Sequence, residues 1–253
     1  MSKPRDIQQF LDSYPHSSSN PDLTSNIKFY RNEIPCRPGT ERYEEWVQAH
    51  GRDWRHLEWD HGYIQWFFPI REHGVNPRAQ PLEVHEIEVM KDDPEVLERL
   101  LRSYKMMLAF YGIDFNGGHL KLAENHKERL SNLRSANHNL LRLTRILKHL
   151  SEFPALQPHA APLVLFFTAL HSEGLLDFSN STMRGGSLEG WWSNCFRDVE
   201  ERKEVRKVVL NRGGYGDGVW GWKAFEAWYE ERVKGGKVGF LGKDATPPAD
   251  RTD

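Results

Sequence analysis

Asp93-Pro94-Glu95-Val96-Leu97-Glu98-Arg99-Leu100-Leu101-Arg102-Ser103-Tyr104-Lys105-Met106-Met107-Leu108-Ala109-Phe110-Tyr111-Gly112 decides the fold class. Asp93 suits a helix N-cap, where its carboxylate can accept hydrogen bonds from the first free N–H groups. Pro94 suits the first helical position, which needs no N–H. Val96, Leu97, Leu100, Leu101, Tyr104, Met107, Leu108 and Tyr111 recur at three- and four-residue steps, laying one apolar stripe along a helix. Gly112 stops it, because glycine takes a left-handed conformation freely.

The same signals repeat outward. Pro81 opens a helix with Leu82, Ile87 and Met90, and Thr40 can cap a short one with Tyr43, Trp46 and Val47. Another turn or two carries Trp54, Leu57 and Trp59. Downstream of a loop at Asn116-Gly117-Gly118, the longest helix is expected from about Ala123 to Leu150. Leu130, Leu133, Asn137, Leu140, Leu143, Thr144, Leu147 and Leu150 trace its inner stripe. Pro154, Pro158 and Pro162 precede an apolar helix, Leu163 to Leu170, which ends at Gly174. A helix from roughly Leu188 to Val208 carries Trp191, Trp192 and Cys195, with Trp192 off its inner stripe. A last one carries Trp220, Phe225, Trp228 and Tyr229. No strand alternation of useful length and no repeat is evident. The expectation is all-α: a single irregular multi-helix domain over residues 26–233. Residues 1–25, with Ser17-Ser18-Ser19-Asn20-Pro21 as a connection, and 234–253 are expected as flexible tails. A short amphipathic piece at Ile7, Phe10 and Leu11 lies within the first.

Composition bounds the function. A net charge of −2 argues against a globally basic nucleic-acid binder. Two cysteines, Cys36 and Cys195, with no CxxC, argue against a disulfide framework or a cysteine zinc site and fit a reducing compartment. The opening MSKPRDIQQF lacks the apolar core of a signal peptide. The run Ala160 to Leu170, interrupted by Pro162 and Thr168, is well short of the ~20 residues a membrane span needs.

Chemistry concentrates in His61-Gly62-Tyr63-Ile64-Gln65-Trp66-Phe67-Phe68-Pro69-Ile70-Arg71-Glu72, continued through Asn76-Pro77 to Pro81-Leu82. Tyr63, Ile64, Trp66, Phe67 and Phe68 call for burial. Gln65, Arg71, Glu72 and Asn76 then need partners, either one another or a ligand. On the long helix, Arg134, His138, Arg142, Arg145 and His149 share a face at three- or four-residue steps. They can form an anion site with Arg71, or Arg142 and Arg145 can pair with Glu72, Glu83 or Glu86. No HExxH, nucleophile motif, P-loop or dinucleotide fingerprint occurs, so no metal or cofactor is expected.

The stretch 61–82 resembles the conserved domain of the opioid growth factor receptor family, as do Tyr104 through Ile113 and Asn125 through Leu133. So, above all, does His138-Asn139-Leu140-Leu141-Arg142-Leu143-Thr144-Arg145-Ile146-Leu147. Asn26 to Tyr30 looks like that domain's opening and Ala161 through Phe167 like its later helix; the resemblance is clearest over 26–173. It implies an intracellular protein, cytoplasmic or nuclear to perinuclear, in a family named for members that bind an enkephalin pentapeptide and restrain growth.

The leading expectation is a soluble binding or regulatory protein that takes a short peptide or another anionic small molecule. Its expected site comprises Tyr63, Gln65, Trp66, Arg71, Glu72, Asn76, Asn137, His138, Arg142 and Arg145. Tyr63 and Trp66 would supply apolar walls, the arginines positive charge, and Gln65, Asn76 and Asn137 orientation. The alternative is an enzyme on an anionic small molecule, with His61, Glu72 or His138 as acid–base groups. A nucleic-acid module using the long helix ranks last on net charge.

Overall fold

The computed structural model describes residues 3–15, 19–134, 137–178 and 186–243. In chain order they form α1 (Arg5–Leu11), α2 (Ser25–Tyr30), α3 (Tyr43–His50), α4 (Trp54–Trp59), α5 (Ile64–Phe67), α6 (Val84–Met90) and α7 (Pro94–Phe110). A hairpin of β1 (Ile113–Asn116) and β2 (His119–Leu122) follows. Then come α8 (His126–Arg129), α9 (Asn137–Glu152), α10 (Ala160–Ser172), α11 (Val199–Leu210) and α12 (Trp222–Lys234).

The Asp93 carboxylate caps α7 by accepting from the N–H groups of Glu95 and Val96, and Gly112 turns the chain at φ 76°. α10 is the centre of the protein. All thirteen of its residues are buried, and it packs against α9, α11, α12 and β2. A helix with no polar face must be enclosed on all sides.

The all-α reading holds for the bulk of the chain, and three local features depart from it. The loop at Asn116-Gly117-Gly118 is the turn of an antiparallel hairpin that pairs Ile113 with Leu122 and Asn116 with His119. Gly117 and Gly118 both have positive φ, as a tight two-residue hairpin turn requires. Its strands have four residues each, too few for alternation to be read.

The single helix expected over 123–150 is divided into α8, a tighter turn at Leu130–Leu133, and α9. Ser131 Oγ donates to the Glu128 carbonyl at 2.5 Å and Asn139 Nδ2 to the Asn132 carbonyl at 2.9 Å. Such short polar side chains offer the backbone an alternative to helical bonding.

The helix expected over 188–208 is likewise divided. A wide π-type turn at Ser187–Trp191 and a tight one at Trp192–Asn194 precede α11, which Asp198 caps. Asn194 Nδ2 takes the carbonyls of Glu189 and Gly190, and Ser151 Oγ donates to that of Cys195. Trp192, read from the sequence as off the inner stripe, is fully buried between Phe167 and Phe178 and donates to Thr144 Oγ1 at 3.1 Å.

Both ends contribute packed chain where tails were expected. Ile7 and Phe10 of α1 are fully buried. Beyond α12, the Phe240 N–H donates to the Ala155 carbonyl, and His159 Nε2 donates to that of Phe240, each at 2.8 Å. The apolar residues of the amphipathic pattern at Ile7 and Phe10, and the short run Val238-Gly239-Phe240-Leu241, account for both. Ser17, Ser18 and residues 244–253 lie outside the described residues.

Candidate functional site

The aromatic segment is internal from Tyr63 to Ile70. Phe67 packs 4.5 Å from Trp46 and 5.2 Å from Tyr43 between ring centroids, and Tyr63 lies 4.9 Å from Trp46. Its polar neighbours hold the surrounding loops. Trp66 Nε1 and Asn76 Nδ2 both donate to the Arg37 carbonyl, at 2.8 and 2.7 Å. Asn76 also donates to the Gly62 carbonyl and accepts from the Arg78 N–H. Gln65 is buried beneath Gly74. A Cβ on that glycine would meet Gln65 Cγ at 2.4 Å and Arg145 Nη2 at 2.9 Å.

α9 closes over this segment with its cations. Arg142, 4% exposed, donates to the carbonyls of Leu57, Glu58 and Asp60 and to Asn139 Oδ1. Its guanidinium lies 5.4 Å from the Tyr63 ring centroid. Arg145 donates to the Phe68 carbonyl at 3.1 Å, and burial lowers its pKa to about 10. Arg71 donates to the Ser13 carbonyl and lies over the Tyr14 ring. The expected pairing of Arg142 and Arg145 with Glu72, Glu83 or Glu86 is replaced by carbonyl contacts, because those acids are engaged elsewhere. Glu72 accepts from Lys148 Nζ at 2.7 Å and Tyr14 at 2.6 Å, and Glu86 from Asn26 and Gln80. Glu83 accepts from the Asn20 N–H. Asn137 starts α9; its side chain lies outside the described residues.

At the N-terminal end of α9, His138 Nε2 lies 3.0 Å from Glu58 Oε1, and its ring is 4.9 Å from that of His61. Glu58 also accepts from Asn139 Nδ2 at 2.8 Å. Burial lowers the His138 pKa, reinforced by Arg142 and His61 and opposed by Glu58. Burial thus favours the neutral imidazole against the pull of the Glu58 carboxylate.

Glu58 also lines an open cleft of about 620 Å3, with Arg52, Asp53, Trp54, Arg55, Trp59, Arg129 and Asn132. Trp59 is 77% exposed, a large unshielded aromatic for a residue of this size. Both carboxylates at the cleft are engaged. Asp53 caps α4 through the His56 N–H, and Glu58 meets His138 and Asn139. Arg129 pairs with Glu128 and lies 5.8 Å over the Trp54 ring. Neither Arg52 nor Arg55 has a carboxylate partner among the described residues. The cleft is thus aromatic and open to an anion. The expected site set omitted its residues. A legible signal existed on α4, where Leu57 is the buried position and Trp59, two residues on, falls on another side of the helix.

The profile described as the opioid growth factor receptor (OGFr) conserved region matches residues 19–224. This chain belongs to the opioid growth factor receptor family. Opioid growth factor receptor from Mus musculus is 44% identical over 207 residues, covering 79% of this chain and 32% of the relative. The Homo sapiens receptor is 44% identical over 169 residues, covering 64% of this chain and 25% of the relative. Opioid growth factor receptor-like protein 1 from Mus musculus is 38% identical over 210 residues, covering 81% of this chain and 44% of the relative. The chain thus spans a quarter to under half of each relative's length. No solved structure matches it. The family's matched region contains α4, the aromatic segment and α9, while α1 lies before it. Among the described residues no helix is long and apolar enough to cross a membrane.

Proposed function

We propose that this member of the opioid growth factor receptor family is a binding and regulatory protein for a short peptide with aromatic side chains and a free carboxylate. The ligand sits where α4 meets the start of α9, in the cleft beside Glu58 and His138. Trp59 and Trp54 stack on its rings, and Arg52 and Arg55 take its carboxylate. Of the residues expected at the site, Tyr63 and Arg142 hold α4 from behind by donating to the carbonyls of Leu57, Glu58 and Asp60, whereas Gln65, Trp66, Arg71, Glu72, Asn76 and Arg145 fix chain away from the cleft. The carrying observation is an exposed tryptophan beside two arginines without carboxylate partners, in a cleft whose own acids are engaged. The name of the relatives, opioid growth factor receptor, supports a peptide as the ligand class. Intracellular residence, cytoplasmic or nuclear, belongs to the same proposal and is supported by two buried, unbridged cysteines.

Isothermal titration with a pentapeptide carrying two aromatic residues, as the free acid and as the C-terminal amide, tests this reading. The acid is expected to bind about tenfold more tightly than the amide, a difference of about 1.4 kcal/mol. Arg52→Gln with Arg55→Gln should erase that preference. Equal binding of acid and amide, or none of either, would overturn the proposal.

A further inference from the structure

α1 is joined to the body by side chains. The N–H groups of Gln8, Asp12, Ser13 and Tyr14 find carbonyls within residues 4–10. The body reaches up to meet it. Lys148 Nζ on α9 lies 3.1 Å from Asp6 Oδ2 and 2.7 Å from Glu72 Oε1. Arg197 donates to the Phe10 carbonyl, stacks 4.0 Å over the Phe10 ring and pairs with Glu152 at 2.5 Å. Ile7 and Phe10 are fully buried, whereas the Asp6 side chain is 42% exposed.

The body presents charged side chains to α1: Lys148, Glu72, Glu152 and Arg197. The Lys148 side chain is 2% exposed. Burial alone would lower its pKa, but Glu72 and Asp6 outweigh that and keep it charged. Glu72 supplies one counter-charge from within the body, and α1 supplies the second carboxylate. The groove-forming residues Glu72, Lys148, Glu152 and Arg197 all lie inside the region shared with the family, while the helix that fills the groove lies outside it.

The geometry points to a helix-binding groove beneath α1, which α1 occupies in cis and which a partner's amphipathic helix of the same chemistry can take. Its ligand carries an acid, an apolar residue next to it and an aromatic one turn later, the pattern of Asp6-Ile7 and Phe10. The acid lands on Lys148, and the aromatic ring slides under Arg197. A helix laying its apolar stripe into such a groove is an established mode of recognition. Here the native segment competes at the effective concentration of a tethered ligand, in the millimolar range. An outside helix gains access when α1 is loosened. This groove is distinct from the cleft at Trp59 and does not depend on it.

The test uses the full chain and a fluorescein-labelled synthetic peptide of residues 3–15. Anisotropy titrations compare the wild-type chain with Ile7→Ala plus Phe10→Ala, which undocks α1. The undocked chain should bind the peptide at least about tenfold more tightly than wild type. Adding Lys148→Met, or changing the peptide's Asp6→Lys, should weaken that binding about tenfold. Equal binding to both chains, or no binding to an undocked chain that still melts cooperatively, overturns the proposal. Loss of cooperative melting in the undocked chain also overturns it, since α1 would then be an integral part of the core.

Discussion

Arg142 Nη1 lies 2.7 Å from the main-chain carbonyl of Leu57, 85 residues earlier in the chain, and its Nη2 lies 2.8 Å from that of Asp60. One planar fork thereby pins the chain between α4 and α5 to α9. A lysine has the charge but not the two-pronged geometry.

Arg142→Met should therefore lower the unfolding free energy by about 3 kcal/mol, because it leaves buried carbonyls without a donor. Arg142→Lys should recover part of that loss. Urea titration checks both, with a lower midpoint and an unchanged slope.

Gly74→Ala should cost about 1–3 kcal/mol through overpacking. The new methyl would fall 2.4 Å from Gln65 Cγ, so Gln65 must leave its buried position and disturb the Arg145 guanidinium beside it. Thermal denaturation of this variant beside Gly236→Ala, where a methyl meets nothing within 4 Å, checks this; Gly236→Ala instead carries the backbone strain of φ 71°. A loss caused by packing should shift with a compensating Gln65→Ala, which leaves the Gly236→Ala loss unchanged.

Acid should destabilise the protein through two histidines. Burial lowers both His149 and His159 from 6.5 to about 4. Their Nδ1 and Nε2 atoms respectively donate to the carbonyls of Pro69 and Phe240, each at 2.8 Å. The unfolded chain binds a proton at each near pH 6.5, and the folded chain does so only near pH 4. Stability is thus fully present above 6.5 and falls as pH drops through that window. The slope is about 1.4 kcal/mol per pH unit for each histidine. His159→Gln should remove one proton's worth of slope between pH 6 and 4.5, read from urea titrations across that range.

Trp59→Ala and Arg55→Gln should leave stability within about 0.5 kcal/mol, as changes at exposed positions do. The same variants should weaken binding of the aromatic acid peptide about tenfold, which titration calorimetry reads directly. A stability loss without a binding loss would assign Trp59 to packing instead.

The long stripes were legible in the sequence, and the breaks were not. α7 could be read residue by residue because its cap, period and stop agree. α9 could be read too, but not its separation from α8, where side chains of Ser131 and Asn139 compete for carbonyls that only tertiary contact makes available. The aromatic segment was legible as buried chain with attached polar groups. Which partners those groups take was not, since Arg142 reaches carbonyls from a distant turn that carry no sequence signal. Trp59 illustrates the converse: an aromatic residue reads as core by composition, and only its position relative to Leu57 on a short helix marks it as outward.

The strap that seats Phe240 beside Ala155 and His159 also sets a timetable. Helices form locally within about a microsecond. Yet His159 finds its carbonyl 81 residues later in the chain, Lys105 reaches Leu241 across 136, and Arg197 turns back 187 residues to Phe10. Such separations slow the search for the native state. A helical chain with these closures completes its fold at the pace of a more complex topology. During synthesis the pocket around His159 stays unfinished until its last wall has been made.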